Sequence, residues 1–325
     1  METKDALLSL LEQNRGTYFS GGEIARRLSV SRTSVWKAVN RLREEGYVIG
    51  AVPNRGYCLA DSTDILSAQG IQKYLEPDCQ RLELHVLQET GSTNTLLREK
   101  AGQGAAEGCT VIAGSQTAGR GRLGRHFYSP SSTGVYLSLL LRPEQLAPSE
   151  AVKITTLAAV AACEAIEEVS GRRPGIKWVN DIFMDGKKVS GILTEASLDL
   201  ENEKIHFIVL GIGINVYPPE GGFPDTLAQT AGAVFSRPAK DAKNHLAAAF
   251  LNHFMKAYTA GSPADYVKKY RERSLAIGRR IRVLQPSGSR DAVALDVDDQ
   301  CRLLVRYEDG QTGCLSSGEI SIRLS

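Results

Sequence analysis

The sequence predicts an α+β protein in three parts, namely a small helical domain, a central α/β domain and a small antiparallel β domain. Residues 1–60 show three short amphipathic helical patterns followed by two strand-like runs. The middle of the chain mixes strands with longer helices, and residues 276–325 alternate apolar with polar residues between turn signals. A chain of 325 residues is long enough for two or three domains, and we place the boundaries at 1–62, 63–273 and 274–325.

Composition indicates a soluble globular protein, with 42% hydrophobic and 23% charged residues. The formal net charge is only +2, so any nucleic-acid surface has to be local. Neither an apolar leader nor a run of about 18 apolar residues occurs, so we expect a cytoplasmic protein without a membrane partner. The six cysteines and five histidines show no metal-ligand spacing, which predicts free thiols and no metal site.

The helical patterns at the start of the chain predict a helix-turn-helix. Helices are expected over 5–14 and 21–28, and Ser31 is a good N-cap for a third helix. In the third helix a buried stripe follows the helical period at Val35, Ala38, Val39 and Leu42. Between residues 26 and 43 there are six basic residues and no acidic one, which is typical of a surface that binds phosphates.

Two short strands follow, around a turn at 53–56 that carries Arg55 at its tip. The whole segment resembles the winged helix-turn-helix of bacterial repressors, in which the second helix of the motif enters the major groove. The residues expected to contact DNA are Ser31, Arg32, Thr33, Ser34, Trp36, Lys37, Asn40, Arg41 and Arg55. A three-helix protein-interaction module with a basic face is the alternative interpretation.

Apolar runs in the middle of the chain predict the strands of a sheet, over 82–89, 109–116, 134–141, 175–178, 188–195 and 206–216. Helical patterns predict helices over 94–101, 149–170 and 240–258. The helix over 149–170 is apolar on most of its faces, so we expect it to be buried against the sheet.

Residues 119–130, Gly-Arg-Gly-Arg-Leu-Gly-Arg-His-Phe-Tyr-Ser-Pro, are the most informative segment about function. Glycines let backbone N–H groups approach a ligand, and arginines offer planar forks that suit carboxylates and phosphates. Since the three like charges repel one another, the segment predicts a loop that binds a polyanion. It also fits G-x-G-x-x-G, but a strand-like run and not a helix follows, which disfavours a dinucleotide fold. A solvated basic loop is the plain alternative.

Three further motifs surround this loop in the sequence. Thr-Gly-Ser-Thr-Asn at 90–94 precedes a helix and offers hydroxyl and N–H groups to a polar ligand ring, although it is also a plain capping sequence. Lys-Trp-Val-Asn-Asp at 177–181 ends a strand on an amide and a carboxylate, which favours a site over a turn. Residues 186–195 predict a turn into a strand, with Lys188 and Ser190 on one face, and Lys188 is either a ligand contact or a solvated strand end.

Taken together, these motifs resemble those of the bifunctional biotin–protein ligases that also repress the biotin operon. Five elements of that family pattern occur in order: S-T-N at 92–94, G-R-G-R-x-G-R-x-W-x-S-P at 119–130, K-W-P-N-D at 177–181, K-x-x-G-I-L at 188–193 and G-x-G-I-N at 211–215. Phe127 replaces the usual tryptophan and Val179 the usual proline, and neither change removes a charged group. The resemblance implies a mixed-sheet catalytic domain of the class II synthetase type and an SH3-like C-terminal barrel.

The resemblance also implies an activity. Such a ligase joins biotin to ATP with Mg²⁺ as biotinyl-5′-AMP, releases pyrophosphate and transfers the biotinyl group to a lysine of a biotin carboxyl carrier protein. With the adenylate bound, the family dimerises on operator DNA and represses biotin synthesis genes. A biotin-sensing repressor without turnover and a lipoate-type ligase are the alternatives; Arg120, Arg122 and Lys188 disfavour the first, and the arginine–glycine loop disfavours the second.

The chemistry and the resemblance assign roles to individual residues. Because the first step joins two anions, the site has to supply positive charge, for which the candidates are Arg120, Arg122 and Lys188. Asp181 is a hypothetical acceptor for the proton of the attacking lysine. The implied biotin contacts are Ser92, Thr93, Asn94, Gln116, Gly119, Arg120, Gly121, Arg122, Lys188 and Gly191. The implied nucleotide contacts are Arg122, Phe127, Lys177, Asn180 and Asn215.

Overall fold

The computed structural model describes residues 2–143, 146–147, 150–199, 204–285, 288–316 and 319–322. The α-helices within these ranges are α1 Thr3–Gln13, α2 Gly21–Arg27, α3 Arg32–Glu44, α4 Ala68–Gln72, α5 Thr93–Gly102, α6 Ala151–Ser170, α7 Ala242–Ala260 and α8 Pro263–Arg273. The strands are β1 Ile49–Val52, β2 Gly56–Leu59, β3 Glu83–Thr90, β4 Cys109–Gln116, β5 Gly134–Leu141, β6 Gly175–Lys177, β7 Asp181–Met184, β8 Lys187–Asp199, β9 Lys204–Asn215, β10 Arg280–Gln285, β11 Gly288–Val297, β12 Leu303–Tyr307, β13 Thr312–Leu315 and β14 Glu319–Ile322.

Helices α1–α3 and the β1–β2 hairpin form the predicted N-terminal domain around its own apolar core. The hydroxyl groups of Ser20 and Ser31 cap α2 and α3 by accepting the N–H groups of Glu23 and Ser34. The stripe expected on α3 is buried, which leaves the opposite side of the helix free for contacts. The helix-turn-helix predicted from period and capping is therefore confirmed.

The central domain contains a mixed sheet with the strand order β3-β4-β5-β9-β8-β7-β6. The β3–β4 pair is parallel and the other pairs are antiparallel. Alternate residues of β5 and β9 fall into two separate cores, so α6 and α7 cover one face and α5 covers the other. The expected burial of the helix over 149–170 is confirmed, whereas α4, β7 and α8 were not predicted because each is short or mostly polar.

The C-terminal domain is an antiparallel sheet with the order β13-β12-β11-β10-β14. Most of the alternating apolar positions that the sequence indicated are buried, for example Ile281, Val283 and Val305. The expectation is wrong in β11, where Ala292 and Ala294 are buried while Val293 is only partly buried and Leu295 is 38% exposed, because a bulge between Ala294 and Asp296 interrupts the alternation. The turn before β12 contacts the central domain, since the indole Nε1 of Trp178 donates to the carbonyl oxygen of Cys301 at 3.2 Å. The hydroxyl of Tyr270 on α8 donates to the carbonyl of Val179 at 3.0 Å, so the segment 177–181 is held from two sides.

A buried ionic cluster joins the N-terminal domain to the central domain. Glu12 of α1 contacts Arg15 at 2.8 Å and Lys73 at 2.6 Å. Asp241, which precedes α7, contacts Arg15 at 2.9 Å and Lys73 at 2.5 Å. None of the four side chains is more than 10% exposed, so the two cations and two carboxylates compensate one another away from bulk water.

Candidate functional site

The start of α5 forms the inner end of the candidate site. Ser92 accepts the N–H of Thr95 as the N-cap, and the N–H and hydroxyl of Thr93 both donate to Gln116 Oε1, at 2.9 and 3.1 Å. Gln116 in turn donates to Ser129 Oγ at 3.0 Å, which ties the end of β4 to the end of the arginine–glycine segment. A small cavity of about 30 Å³ lies here, and its polar lining includes Ser92, Thr93, Asn94 and Gln116.

Glycines of β9 make room for this end of the site. On the face of β9 that carries α5, Phe207 and Val209 are apolar, and the next two positions are Gly211 and Gly213. A Cβ at Gly213 would lie 2.5 Å from the ring of Phe127, and one at Gly211 would overlap the amide of Asn94. The glycines of the G-x-G-I-N element therefore allow two site side chains to lie directly on the sheet.

The arginine–glycine segment folds back on itself as a narrow loop. Gly121 N donates to Arg125 O at 2.7 Å, and Phe127 N donates to Gly119 O at 2.9 Å. Leu123 lies at the tip with a positive φ of 56° and 77% of its surface exposed. The loop is thus ordered by its own backbone, and its arginine side chains leave it on the side of the sheet.

A second cavity, of about 170 Å³, lies between this loop and strands β6–β8. Arg122 Nη1 donates to Asn180 Oδ1 at 3.0 Å, and Asn180 Nδ2 donates to the carbonyl of Ile192 at 2.8 Å. Lys188 Nζ lies 2.6 Å from Asp181 Oδ1 and 6.0 Å from the centroid of the Phe127 ring. Arg122 and Lys188 are therefore oriented by neighbouring side chains.

A β-bulge decides where Lys188 points. Pairing of β7 with β8 shifts between Ile182 and Phe183, which leaves Val189 as an extra residue. Ser190 is fully buried opposite Ile214, whereas Lys188 lines the cavity. The expectation that Lys188 and Ser190 share one face is wrong, because strict alternation does not hold through a bulge.

A third cavity, of about 410 Å³, continues outward from the second. It is lined by the aromatic residues Phe127, Tyr128, Phe183 and Phe223, and by Lys177 and Asn215 at its polar side. Lys177 Nζ lies 5.6 Å from the centroid of the Phe183 ring, and Asn215 Nδ2 donates to the carbonyl of Gly232 at 3.0 Å. An aromatic wall with a few polar groups suits a planar heterocycle.

The electrostatic balance of the three cavities is positive. Five cationic side chains line the second cavity: Arg120, Arg122, Arg125, Lys177 and Lys188. Two carboxylates offset part of this charge, since Asp181 pairs with Lys188 and Glu195 with Arg120. Behind the wall, burial raises the pKa of Tyr136 to about 12, so its ring supports Phe127 as a neutral phenol. The site is therefore built for an anion that carries more than one charge.

The face of α3 opposite its buried stripe is exposed and basic. Arg32, Thr33 and Lys37 are exposed, and Trp36 keeps 56% of its surface accessible. Arg41 is paired with Glu2 at 2.5 Å, and the guanidinium of Arg55 on the hairpin lies 4.3 Å from the centroid of the Tyr18 ring. The helix and the hairpin thus each carry basic side chains that could donate to phosphates.

Comparisons with known proteins agree along most of the chain. The model of the biotin/lipoate A/B protein ligase family matches residues 86–215, a helix-turn-helix domain matches 3–58, and the biotin protein ligase C-terminal domain matches 276–323. The bifunctional ligase/repressor BirA of Bacillus subtilis (strain 168) is 35% identical over 94% of this chain and 94% of its own. The chain belongs to the family of bifunctional biotin ligase/repressors.

Two further proteins extend the match. The bifunctional ligase/repressor BirA of Escherichia coli (strain K12) is 27% identical over 98% of this chain and 96% of its own. The solved biotin protein ligase from Aquifex aeolicus in complex with biotin and ATP superposes with a TM-score of 0.63 at 26% identity, over 75% of this chain and 99% of that one. The family and the fold class expected from the motifs are therefore confirmed.

The structure brings all of the predicted ligase site residues except Gly119 to the three cavities. The inner cavity has Ser92, Thr93, Asn94, Gln116, Arg120 and Gly191, the second has Gly121, Arg122, Asn180, Asp181 and Lys188, and the third has Lys177 and Asn215, with Phe127 common to all three. Gly119 lies behind the lining, where a Cβ would meet Ser129 Oγ at 2.7 Å. The roles assigned to these residues stay predictions.

Sequence reasoning missed two polar residues of the site. Ser138 Oγ lies 2.8 Å from Thr93 Oγ1 and 2.6 Å from Asn94 Oδ1, and it is fully buried in β5. A lone hydroxyl in an otherwise apolar strand was the available signal, because buried polar groups need partners. Glu195 accepts the amide of Asn94 at 2.8 Å, and no feature of its own sequence neighbourhood indicated this.

One group of possible metal ligands lies outside the site. Among the described residues, Glu83, His85 and Cys109 place one ligand atom each within 4.8 Å of one another. Burial raises the pKa of the Cys109 thiol, which opposes the thiolate that a metal would need.

Within the described part of the chain, no helix is both long and apolar enough to cross a membrane.

Proposed function

We propose that the chain is an ATP-dependent ligase that makes biotinyl-5′-AMP, transfers biotin to a lysine of a biotin carboxyl carrier protein, and represses biotin synthesis genes when the adenylate is bound. One observation carries the ligase part: five cationic side chains line the cavity that joins a small hydroxyl-lined pocket to an aromatic one. The inner cavity would hold the ring of biotin, the second would hold its carboxylate beside the α-phosphate of ATP, and the third would hold adenine.

The inner cavity is the proposed biotin site. Hydroxyl and amide groups of Ser92, Thr93 and Gln116 offer donors and acceptors to the ureido ring, and Phe127 covers it from one side. Gly119 and Gly121 keep the loop backbone close to the ligand, while Arg120 and Gly191 lie where the inner and second cavities meet.

The second cavity is the proposed place of the first step. Biotin's carboxylate is already ionised at neutral pH, so the site has to hold two anions in line and does not need a base. Lys188 of β8 and Arg122 of the loop both line this cavity and would compensate the charge that develops on the α-phosphate. Lys177, Asn180 and Asn215 would hold the nucleotide.

Mg²⁺ belongs to the proposal as a companion of ATP. This cation is usually bound by one or two carboxylates together with substrate phosphates. Asp181 lines both the second and the third cavity with 24% of its side chain exposed, so it fits such a ligand. When bound, the ion would neutralise the leaving pyrophosphate.

In the second step a lysine of the carrier protein attacks the mixed anhydride. The attacking amine has a free pKa of about 10.4 and has to lose a proton. Asp181 is the proposed acceptor, although its pair with Lys188 at 2.6 Å supports a positioning role equally well. The two roles give different outcomes when the second step is measured alone.

The repressor part of the proposal rests on the basic face of α3. The second helix of the motif would enter the major groove with Arg32, Thr33 and Lys37, while Arg55 on the hairpin reaches the backbone. A dimer would align two such domains on a two-fold operator. Among the described strands, residues 194–198 of β8 pair only with β9, so the other edge of β8 is unpaired there. An unpaired strand edge can pair with a second copy of the chain, which supports self-association.

A cytoplasmic location is also part of the proposal. All six cysteines are free in the structure, which suits a reducing compartment. The proposed substrates, ATP and a carrier protein of metabolism, meet the chain in that same compartment.

The deciding experiment is incubation of the full chain with ATP, Mg²⁺ and biotin, followed by measurement of pyrophosphate release. We expect biotin-dependent release, and its loss when Arg120 and Arg122 are both changed to glutamine. Lipoate in place of biotin is the matched control. Release with lipoate alone would favour the lipoate-type ligase, and no release with either acid would leave a sensing repressor.

A further inference from the structure

The segment 177–181, which contains two of the proposed nucleotide contacts, is a turn at the edge of the central sheet. Strands β6 and β7 form a hairpin in which Lys177 pairs with Asp181, so residues 178–180 make the turn between them. Because β6 ends the sheet order, it pairs with β7 alone among the described strands. A turn in this place keeps one position only if groups outside the hairpin hold it.

Each residue of the turn is attached to a different element. The indole of Trp178 donates to a carbonyl of the C-terminal domain at 3.2 Å. Asn180 exchanges hydrogen bonds with Ile192 of β8, because its Nδ2 donates to that residue's carbonyl and its own carbonyl accepts that residue's N–H. The carbonyl of Val179, between them, accepts the hydroxyl of Tyr270 on α8 at 3.0 Å. The middle of the turn is thus held by a side chain from outside the sheet.

Tyr270 is fully buried in the main core, and burial raises the pKa of its phenol well above the usual range. The phenol therefore keeps its proton and acts as a donor. Phenylalanine would fill nearly the same volume in this core without a polar atom that needs a partner. The hydroxyl therefore serves the contact with Val179 and not the packing of the ring.

Displacement of the turn would move three ligand-facing side chains together. Lys177, Asn180 and Asp181 all line the second cavity, and Lys177 and Asp181 also line the third. The groups proposed for the biotin ring lie at the end of β4 and the start of α5, and three strands lie between β4 and β7. A change in the turn should therefore affect the nucleotide more than the ring of biotin.

We propose that Tyr270 is a positioning residue for the nucleotide, whose hydroxyl holds the 177–181 turn by the carbonyl of Val179. This role rests on the proposed function only in naming ATP as the ligand of Lys177 and Asn180. Without the hydroxyl the turn would visit more conformations, and ordering them on binding would cost part of the affinity for ATP.

Hydrogen–deuterium exchange of the empty, full-length chain tests the attachment without any catalysis. We expect peptides that cover residues 177–181 to exchange several-fold faster in Tyr270→Phe than in the wild type. Tyr258→Phe is the matched control, because it removes a phenol hydroxyl from α7 whose partner, Glu107 at 3.4 Å, precedes β4. The control should exchange at 177–181 like the wild type. Equal exchange there in Tyr270→Phe and the wild type would overturn the proposal.

Two synthetic residues at position 270 separate the hydrogen bond from the volume that the hydroxyl fills. 4-Fluorophenylalanine fills the space but has no proton to donate, so the turn should exchange quickly; this variant carries the test if Tyr270→Phe does not fold. 4-Aminophenylalanine keeps an N–H donor and should restore slow exchange. Slow exchange with fluorine and fast exchange with the amino group would contradict the proposal, because packing of the ring would then hold the turn.

Kinetics distinguish positioning of the nucleotide from a merely structural role. With the other substrate saturating, we expect Tyr270→Phe to raise KM for ATP about fivefold and KM for biotin less than about twofold. Pyrophosphate release measures both values. An unchanged KM for ATP, or an equal rise in both KM values, would contradict the proposal. An inactive wild-type chain with faster exchange in Tyr270→Phe would instead contradict the proposed function alone.

Discussion

Lys188 and Asp181 form an ion pair with 2.6 Å between Nζ and Oδ1, although the two residues come from different strands. Asp181 begins β7 and pairs with Gly191, while the bulge at Val189 turns Lys188 back towards the same cavity. The ammonium group is thus held between a carboxylate and the face of Phe127. Such a pair keeps a flexible lysine in one place, which is what a site for two anions requires.

Removal of the Lys188 charge should abolish most of the first step. We expect Lys188→Gln to lower the rate of biotin-dependent pyrophosphate release by about 100-fold. Loss of one preorganised donor to the developing charge typically lowers a rate by this factor. Lys187→Gln is the matched control, because the neighbouring ammonium donates to the carbonyl of Ala228 on the surface. Comparable loss in both variants would show that charge in general, and not this position, is needed.

The role of Asp181 can be separated by starting from preformed biotinyl-5′-AMP. If Asp181 accepts the proton of the attacking lysine, Asp181→Asn slows transfer to a carrier protein by about 100-fold. The rate should then recover at higher pH, where more of the amine is deprotonated. Transfer at the full wild-type rate would exclude Asp181 as the base and leave it as the partner of Lys188.

The basic face of α3 predicts how DNA binding depends on salt. We expect Lys37→Ala and Arg32→Ala each to weaken operator binding and to reduce the slope of log K against log salt by about 1. Lys256→Ala, an exposed lysine on α7, should leave both affinity and slope unchanged. Titration of labelled operator DNA at several salt concentrations, with biotinyl-5′-AMP present, measures both quantities. A slope that does not change would favour a protein-interaction module.

Removing one cation from the buried ionic cluster between the first two domains should destabilise the chain strongly. Lys73→Met leaves the carboxylates of Glu12 and Asp241 with one cation fewer, and breaking a buried pair costs about 3 kcal/mol. Urea unfolding measures the loss as a lower midpoint. Lys240→Met is the control, because its pair with Asp61 is exposed and such pairs contribute less than about 1 kcal/mol. A similar small effect for both would mean that the cluster is not essential.

The exposed cysteine thiol should react faster with a thiol reagent than the buried ones. Cys314 is exposed, whereas burial raises the pKa of Cys79 to about 11 and that of Cys163 to about 12. We expect one thiol of the native chain to react quickly with a disulfide reagent and the rest only after unfolding. Because its own pKa is raised, mainly by desolvation, the reaction of Cys314 should still accelerate as the pH rises above 9. Rapid reaction of several thiols would contradict the packing described.

Local patterns in the chain were enough to predict most of the helices and strands. The period of Val35, Ala38, Val39 and Leu42 defines the buried side of α3, and Ser31 marks its start, because both effects act within one or two helical turns. The arginine–glycine segment likewise carries its own charge and flexibility, so an anion site could be expected before the sheet was known.

Contacts between distant segments required the folded chain. Arg120 meets Glu195 because β8 lies beside β9 in a register that brings Glu195 to the α5 face, and Trp178 meets Cys301 because the C-terminal domain packs against α6 and α8. Sheet order, register and domain packing determine these contacts, and none of them leaves a periodic signal in the sequence. Composition and spacing act along the chain, whereas the geometry of the site depends on which strands become neighbours.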